Sequence, residues 1–259
     1  MKTCWARALG GCSDKLSREH IVSASLWDGD TITVEGFPWC RSAPQRVGAN
    51  ALTSKILCKS HNSDLSPLDE EAGRAFKVLQ RATQLANQRA TSRPRRKDVV
   101  RLEVERPWLL ERWFLKTAIN VVAVHPGAVR WRSTGAPANE PPEQLVRIAY
   151  GLEPFRAPMG LYNLASPGEL IPFSDIFHLA PLLYGADEMI GFLAVFRGLR
   201  FILHVEESPL PQKGSFDVAY DRRWSEESRL LYRLPKLTWG AGKQLSHYVH
   251  FRWHLAPRS

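Results

Sequence analysis

The clearest pattern along the chain is an amphipathic repeat that starts near residue 66. Apolar residues recur at helical spacing from Leu68 to Ala86, and polar or basic residues occupy the opposite side of the same segment. Ser66 is a favourable N-cap, and Pro67 suits the first position of a helix. The pattern predicts a helix that begins at residue 66 and buries one of its sides.

A buried helix and several strands are predicted elsewhere. Between Trp108 and Val124, apolar residues surround nearly the whole helical circumference, which is typical of a helix buried on all sides. β-Branched alternation predicts a strand from Asp30 to Glu35. Four later runs are strand-like: 160–164, 176–184, 189–196 and 199–205. Arg197 and Gly198 suit a turn that joins the last two runs into a hairpin, so the predicted fold class is α+β.

The polar, basic stretch from Ser92 to Lys97 interrupts the helical pattern and is the first candidate for a domain boundary. This boundary divides the chain into three predicted parts: an N-terminal domain at 1–91, a basic linker at 92–107 and an α+β module at 108–259. The sequence of the third part indicates no chemistry. That module is a candidate for self-association or for binding a regulatory partner.

The distribution of charge along the chain indicates what kind of partner the protein binds. The chain has 35 Lys and Arg against 26 Asp and Glu, a net charge of +9, which favours a polyanionic partner. Twelve basic and four acidic residues lie between Arg74 and Lys116, so that stretch alone carries +8. The predicted nucleic-acid contacts are Arg74, Lys77, Arg81, Arg93, Arg95, Arg96 and Lys97. The alternative is that the run at 93–97 is only a solvated linker.

The four cysteines all lie near the N-terminus, at Cys4, Cys12, Cys40 and Cys58. The N-terminus lacks the apolar core of a signal peptide, and apolar runs such as 190–196 are far shorter than the roughly 20 residues that cross a bilayer. We therefore expect a cytoplasmic protein without a membrane partner. In a reducing compartment, clustered cysteines near a histidine indicate a metal site rather than disulfides.

Two segments of the N-terminal part resemble the HNH endonuclease family. They are Glu19-His20-Ile21 and Leu57-Cys58-Lys59-Ser60-His61-Asn62, and the resemblance covers residues 4 to about 80. It implies a ββα-metal unit with a zinc knuckle, in which the acidic-His dipeptide lies on the first strand and the Asn at the start of the helix. Residues 27–48 would then be an insertion between the two strands.

The resemblance also implies a structural zinc site. Cys58 and His61 have the spacing of a zinc knuckle, and Cys4 and Cys12 would complete a tetrahedral set. The seven residues between Cys4 and Cys12 exceed the usual gap of two to four. Cys40 is therefore kept as an alternative ligand.

The activity implied is metal-dependent phosphodiester hydrolysis. His20 is the expected general base, and Glu19 with Asn62 would supply oxygen ligands for a catalytic Mg²⁺ or Mn²⁺. The place of the family's central Asn, which orients the catalytic His, falls near Thr53. The expected substrate is double-stranded DNA. RNA cleavage stays open, and the competing interpretation is a catalytically silent, zinc-stabilised nucleic-acid-binding protein.

Overall fold

The computed structural model describes residues 4–27, 29, 31–37, 40, 43–91, 100–124, 129–163, 176–196, 199–208, 236–240 and 246–252. These residues combine helices with three antiparallel or mixed β-sheets, which confirms the predicted α+β class. Within these ranges, no helix has both the length and the apolar composition that a membrane span requires.

The N-terminal part is built on two short paired strands. Strand β1 (Leu16–His20) runs antiparallel to β4 (Thr53–Cys58), and helix α1 (Lys59–Asp64) follows β4 directly. Helix α2 (Ser66–Thr91) begins at the residue predicted as its N-cap, one residue before the predicted first helical position. The order strand, strand, helix brings the start of α1 against the beginning of β1, because the last residue of β4 pairs with Leu16.

A seven-stranded sheet contains strands from both halves of the chain. Its strands are, in spatial order, β3 (Gln45–Gly48), β2 (Thr31–Glu35), β8 (Ile176–Tyr184), β9 (Glu188–Phe196), β10 (Leu199–His204) and β7 (Gly160–Asn163), with β6 (Arg130–Trp131) also paired to β9. The predicted strands are confirmed to within one residue at each end, and β9 and β10 pair as the predicted hairpin. Because β2 pairs with β8, the segment predicted as an insertion forms part of the sheet.

A three-stranded sheet lies partly within the stretch that the sequence predicts to be a linker. Strand β5 (Val100–Val104) pairs in parallel with β12 (Ser246–Phe251), which is antiparallel to β11 (Lys236–Gly240). The side chain of Val104 is buried. Residues 100–104 are therefore part of the fold rather than a linker. Their pairing partners on β12 lie 147 residues further along the chain, as in the pair of Val100 with His247.

The core joins α2 to α3 (Pro107–Val124), the helix predicted to be buried. The ring of Phe76 on α2 lies 5.2 Å from that of Trp113, 6.0 Å from that of Phe114 and 3.9 Å from that of Phe196 on β9. Helix α4 (Glu143–Ala149) packs against α3. Helices from both predicted domains thus share one hydrophobic core with the seven-stranded sheet.

Candidate zinc centre and hairpin face

Four side chains converge where β1, β4 and α1 meet. The ligand atoms of Cys4, Cys12, Cys58 and His61 all lie within 4.8 Å of one another. Cys58 ends β4 and His61 follows on the first turn of α1, while the chain from Cys4 passes through a 3₁₀ turn at Arg7–Leu9 before it reaches Cys12. We call these four residues the zinc quartet.

The wide gap between the first two cysteines is closed by two glycines. Gly10 and Gly11 have φ angles of +73° and +65°, which side chains rarely adopt and glycine adopts freely. Both residues follow the 3₁₀ turn at Arg7–Leu9 directly. The seven-residue spacing between Cys4 and Cys12 is therefore an expanded knuckle.

The distances within the quartet fit a tetrahedral zinc ion. The Nδ1 atom of His61 lies 3.3 Å from Sγ of Cys4, 3.6 Å from Sγ of Cys12 and 3.3 Å from Sγ of Cys58. With Zn–S and Zn–N bonds of ordinary length, a tetrahedron places sulfur and nitrogen ligands about 3.6 Å apart. A Cys₃His set of this kind has no position left open, which is typical of a structural zinc site.

Local hydrogen bonds prepare one of the thiols for metal binding. Burial raises the pKa of the Cys58 thiol, but backbone hydrogen bonds from His61 and Ser13 outweigh that effect and lower the pKa to about 6. Burial raises the pKa of the Cys4 thiol to about 12. Zinc binds thiolates, so Cys58 is the ligand best prepared before the metal arrives.

Cys40, the alternative ligand, lies outside the quartet. It is buried, and its Sγ donates to the carbonyl of Val34 at 3.5 Å. It belongs to the turn after β2, where its carbonyl accepts a hydrogen bond from the backbone N–H of Gly36. Cys40 therefore packs beside the large sheet, and Cys12 rather than Cys40 lies together with Cys4, Cys58 and His61.

The C-terminal module supports the zinc quartet directly. The hydroxyl of Tyr150, the residue after α4, donates to the carbonyl of His61 at 2.9 Å, and its ring lies 5.5 Å from the His61 ring. The ring of Trp5, next to Cys4, packs edge-on against Tyr150 at 5.9 Å. The position of His61 therefore depends on residues from both halves of the chain.

His20 lies on the outward side of the β1–β4 pair. Arg18 is exposed and His20 partly exposed, while Glu19 between them is buried, as expected for alternating side chains of a strand. Thr53 is the cross-strand partner of His20, and exposed Lys55 lies two residues further along β4. We call Arg18, His20, Thr53 and Lys55 the hairpin face. The name refers to the antiparallel pair of β1 and β4, which are separated in the chain by β2 and β3.

The polar atoms of His20 and Thr53 have different environments. The Nε2 atom of His20 is shielded from solvent and has no hydrogen-bond partner among the described atoms. Such an unsatisfied nitrogen is uncommon and can mark a catalytic group. The hydroxyl of Thr53 donates to the carbonyl of Asn50 at 3.3 Å, so its hydrogen is not available to His20. The backbone of His20 is held instead by Asn120, whose Nδ2 donates to its carbonyl at 3.2 Å.

Glu19 points into the core and is paired with a lysine of α3. The Nζ atom of Lys116 lies 2.6 Å from Oε1 of Glu19 and 2.7 Å from Oδ2 of Asp69, and the Lys116 side chain is 1% exposed. Asn120 donates to the same Glu19 oxygen at 3.2 Å. Burial raises the pKa of the Glu19 carboxyl, and the Lys116 ammonium opposes that rise.

The predicted Mg²⁺ or Mn²⁺ site does not fit this arrangement. Glu19 faces the core and His20 faces outward, so the two adjacent residues do not share a surface. Asn62 lies against the other end of β1, where its Nδ2 donates to Oγ of Ser17 at 3.0 Å and to the carbonyl of Arg18 at 3.5 Å. In the described ranges, the zinc quartet is the one converging set of three or more His, Cys, Asp or Glu side chains.

The basic residues predicted to contact nucleic acid have different surroundings. Arg74 is paired with Glu71 at 3.0 Å and Glu70 at 3.8 Å, so its charge is compensated locally. Lys77 and Arg81 are exposed on α2. Arg93, Arg95, Arg96 and Lys97 lie outside the described residues.

Sequence reasoning missed Lys116, Asn120 and Tyr150 as parts of this region. A signal was present for the first two, since a lysine and an asparagine on a helix that is otherwise apolar all round must find buried partners. The sequence does not reveal which partners they find.

Comparison with protein-family models, with curated proteins and with solved structures finds no significant match to this chain.

Proposed function

We propose that the chain is a zinc-stabilised nuclease of the HNH type that binds nucleic acid on the hairpin face and hydrolyses it with His20 as general base. The observation that carries the proposal is the position of His20. It lies on a strand pair whose other end carries the zinc quartet, and the exposed side chains of Arg18 and Lys55 lie next to it on one side, where β1 and β4 form a bulge. DNA is the expected substrate, and RNA is the alternative.

Zinc supports this proposal as a structural element. When bound by Cys4, Cys12, Cys58 and His61, it would cross-link the segment before β1 to the end of β4 and to α1, and it would supply folding energy. The quartet has no open position, so it is assigned no part in the reaction. Its contribution is to hold the hairpin face in one conformation.

Arg18 and Lys55 are suited to holding the phosphate. Both are exposed, and each lies two residues from a member of the central pair, His20 and Thr53. Two cations at this spacing neutralise backbone charge without reading sequence. The bound phosphodiester would then lie beside His20.

The proposed step needs a base and an attacking water. The imidazole of His20 takes a proton from water through Nδ1, because its Nε2 is shielded from solvent. The water oxygen bonds to phosphorus, and the bond from phosphorus to the leaving oxygen breaks. The leaving oxygen then accepts a proton from the imidazolium or from solvent. Glu19 has no role as a metal ligand in this proposal, because Lys116 already binds its carboxylate.

Cleavage of supercoiled plasmid, linear DNA and single-stranded RNA by wild type and His20→Ala tests the proposal. We expect cutting of at least one substrate by the wild type and none by His20→Ala, with zinc content and circular dichroism unchanged. Retained cutting in His20→Ala would assign the base elsewhere.

Arg18→Ala and Lys55→Ala locate the binding surface. We expect each to weaken binding and to reduce its salt dependence, since each removes a phosphate contact. The matched control is Lys77→Ala, which removes an exposed charge from α2. A larger effect of Lys77→Ala than of the hairpin variants would move the contact surface to α2, where the sequence predicts it.

A second function, a silent nucleic-acid-binding protein, is favoured by one observation. The carboxylate that the HNH resemblance assigns to catalysis is buried against Lys116. If the protein is such a binding protein, we expect the hairpin face to bind nucleic acid in a salt-dependent way and the wild type to cleave it under no condition.

A further inference from the structure

One buried ammonium lies between two carboxylates from different elements. Lys116 of α3 is 2.6 Å from Glu19 of β1 and 2.7 Å from Asp69 of α2, and its side chain is 1% exposed. Asp69 also accepts a hydrogen bond from the hydroxyl of Ser23, which in turn accepts one from Nε1 of Trp113 at 2.7 Å. The ammonium is thus enclosed by side chains that have defined partners.

The geometry uses the whole hydrogen-bonding capacity of the lysine. An ammonium group has three donors, and three carboxylate oxygens lie within hydrogen-bond distance: Oε1 of Glu19 at 2.6 Å, Oδ1 of Asp69 at 2.8 Å and Oδ2 of Asp69 at 2.7 Å. Carboxylate oxygens from two residues are also the donor set that a hard divalent cation prefers. Lysine and a divalent cation would therefore compete for the same oxygens.

We infer that Lys116 is the resident cation of this centre and excludes Mg²⁺ and Mn²⁺ from Glu19. It neutralises Glu19 in place of a metal and acts as a positioning residue for β1, the strand that carries His20. The consequence for cleavage rests on the proposed nuclease: cutting by the hairpin face needs no divalent cation. The consequence for metal binding is independent of any activity.

Manganese titration tests the exclusion directly. Zinc-loaded wild type, Glu19→Gln and Lys116→Met proteins are titrated with Mn²⁺, and the free ion is followed by its electron paramagnetic resonance signal. We expect wild type and Glu19→Gln to bind the same amount. Lys116→Met, which keeps the length of the side chain and removes its charge, is expected to bind one additional Mn²⁺ per chain, and Lys116→Met/Glu19→Gln is expected to lose it.

Two results would overturn the inference. The first is a Mn²⁺ ion bound by wild type and lost in Glu19→Gln, which would make Glu19 a native metal ligand. The second is a folded Lys116→Met protein that binds no additional Mn²⁺. If Lys116→Met does not fold, the comparison of wild type with Glu19→Gln still decides the question.

Cleavage assays separate this inference from the proposed function. Wild type that keeps its zinc is expected to cut equally well in buffer freed of Mg²⁺ and in buffer with added Mg²⁺. Cutting that requires Mg²⁺ and is lost in Glu19→Gln would overturn the inference while leaving a nuclease. Absence of cutting in every condition would remove the proposed function, and the manganese result would stand by itself.

Discussion

The four side chains of the zinc quartet differ in solvent exposure. Cys12 is exposed, whereas Cys4, Cys58 and His61 are buried. Three buried ligands without metal would leave desolvated thiols and an imidazole packed together. Because the unfolded chain does not hold these residues in place, metal binding contributes to folding free energy.

Replacing Cys58 with Ser should therefore lower zinc content and thermal stability together. Zinc per chain by atomic absorption and the melting temperature by circular dichroism check this prediction. The matched control is Cys40→Ser, which removes another buried thiol outside the quartet. Unchanged zinc in Cys58→Ser, or zinc loss in Cys40→Ser, would contradict the assignment of ligands.

At the scale of elements, the contact between α2 and α3 carries much of the core. Phe76 is buried and touches aromatic rings of α3 and of β9, so one side chain links two helices and the large sheet. The two helices come from opposite sides of the stretch predicted as a linker.

Phe76→Ala should destabilise the protein by about 3–5 kcal/mol, the usual cost of removing a buried aromatic side chain. Lys77→Ala, next to it on the exposed side of α2, should change stability by less than about 0.5 kcal/mol. Urea unfolding of both variants measures the difference. Equal effects would mean that α2 does not pack through Phe76.

The end of β2 makes a close contact with β8 that only glycine permits. Gly36 has a φ angle of +82°, and a Cβ atom there would lie 2.7 Å from Cε1 of His178. Gly135 has a similar φ angle of +67°, but a Cβ atom there would meet nothing within 4 Å.

Gly36→Ala should destabilise the protein more than Gly135→Ala does. Both variants carry the backbone strain of a left-handed residue, of the order of 1–3 kcal/mol, and only Gly36→Ala adds a steric clash. The comparison of their urea midpoints therefore isolates the clash. Equal midpoints would show that His178 moves aside at little cost.

At the scale of the whole molecule, the two halves of the chain complete each other. The N-terminal residues 1–91 contain the zinc quartet, but Tyr150 supports His61, Lys116 neutralises Glu19, and β8 pairs with β2. Each of these partners lies beyond the predicted boundary. A fragment that ends at residue 91 would leave the Glu19 carboxylate without its ammonium and β2 without one of its neighbours.

A fragment of residues 1–91 should accordingly lack a cooperative unfolding transition, even with zinc present. The full chain with zinc should unfold in one transition that both circular dichroism and tryptophan fluorescence detect. Amide spectra of the fragment by nuclear magnetic resonance give a second check. Well-dispersed signals from the zinc-loaded fragment would establish an independent N-terminal domain.

Features that depend on neighbouring residues can be predicted from the sequence alone. Helical periodicity located α2 and α3, alternation located β2 and the strands of the second half, and the spacing from Cys58 to His61 identified half of the metal site. These patterns are local consequences of helix and strand geometry. They carry over into the fold because no distant contact is needed to produce them.

The directions of the adjacent Glu19 and His20 side chains depend on the tertiary fold. A strand places neighbouring side chains on opposite sides, and the sequence does not say which side meets the core. Packing of α3 against β1 settled this, because Lys116 gives Glu19 a buried partner and leaves His20 outward. In the same way, pairing with β12 makes a strand of residues 100–104, and the fold places Cys12 rather than Cys40 with the other residues of the zinc quartet.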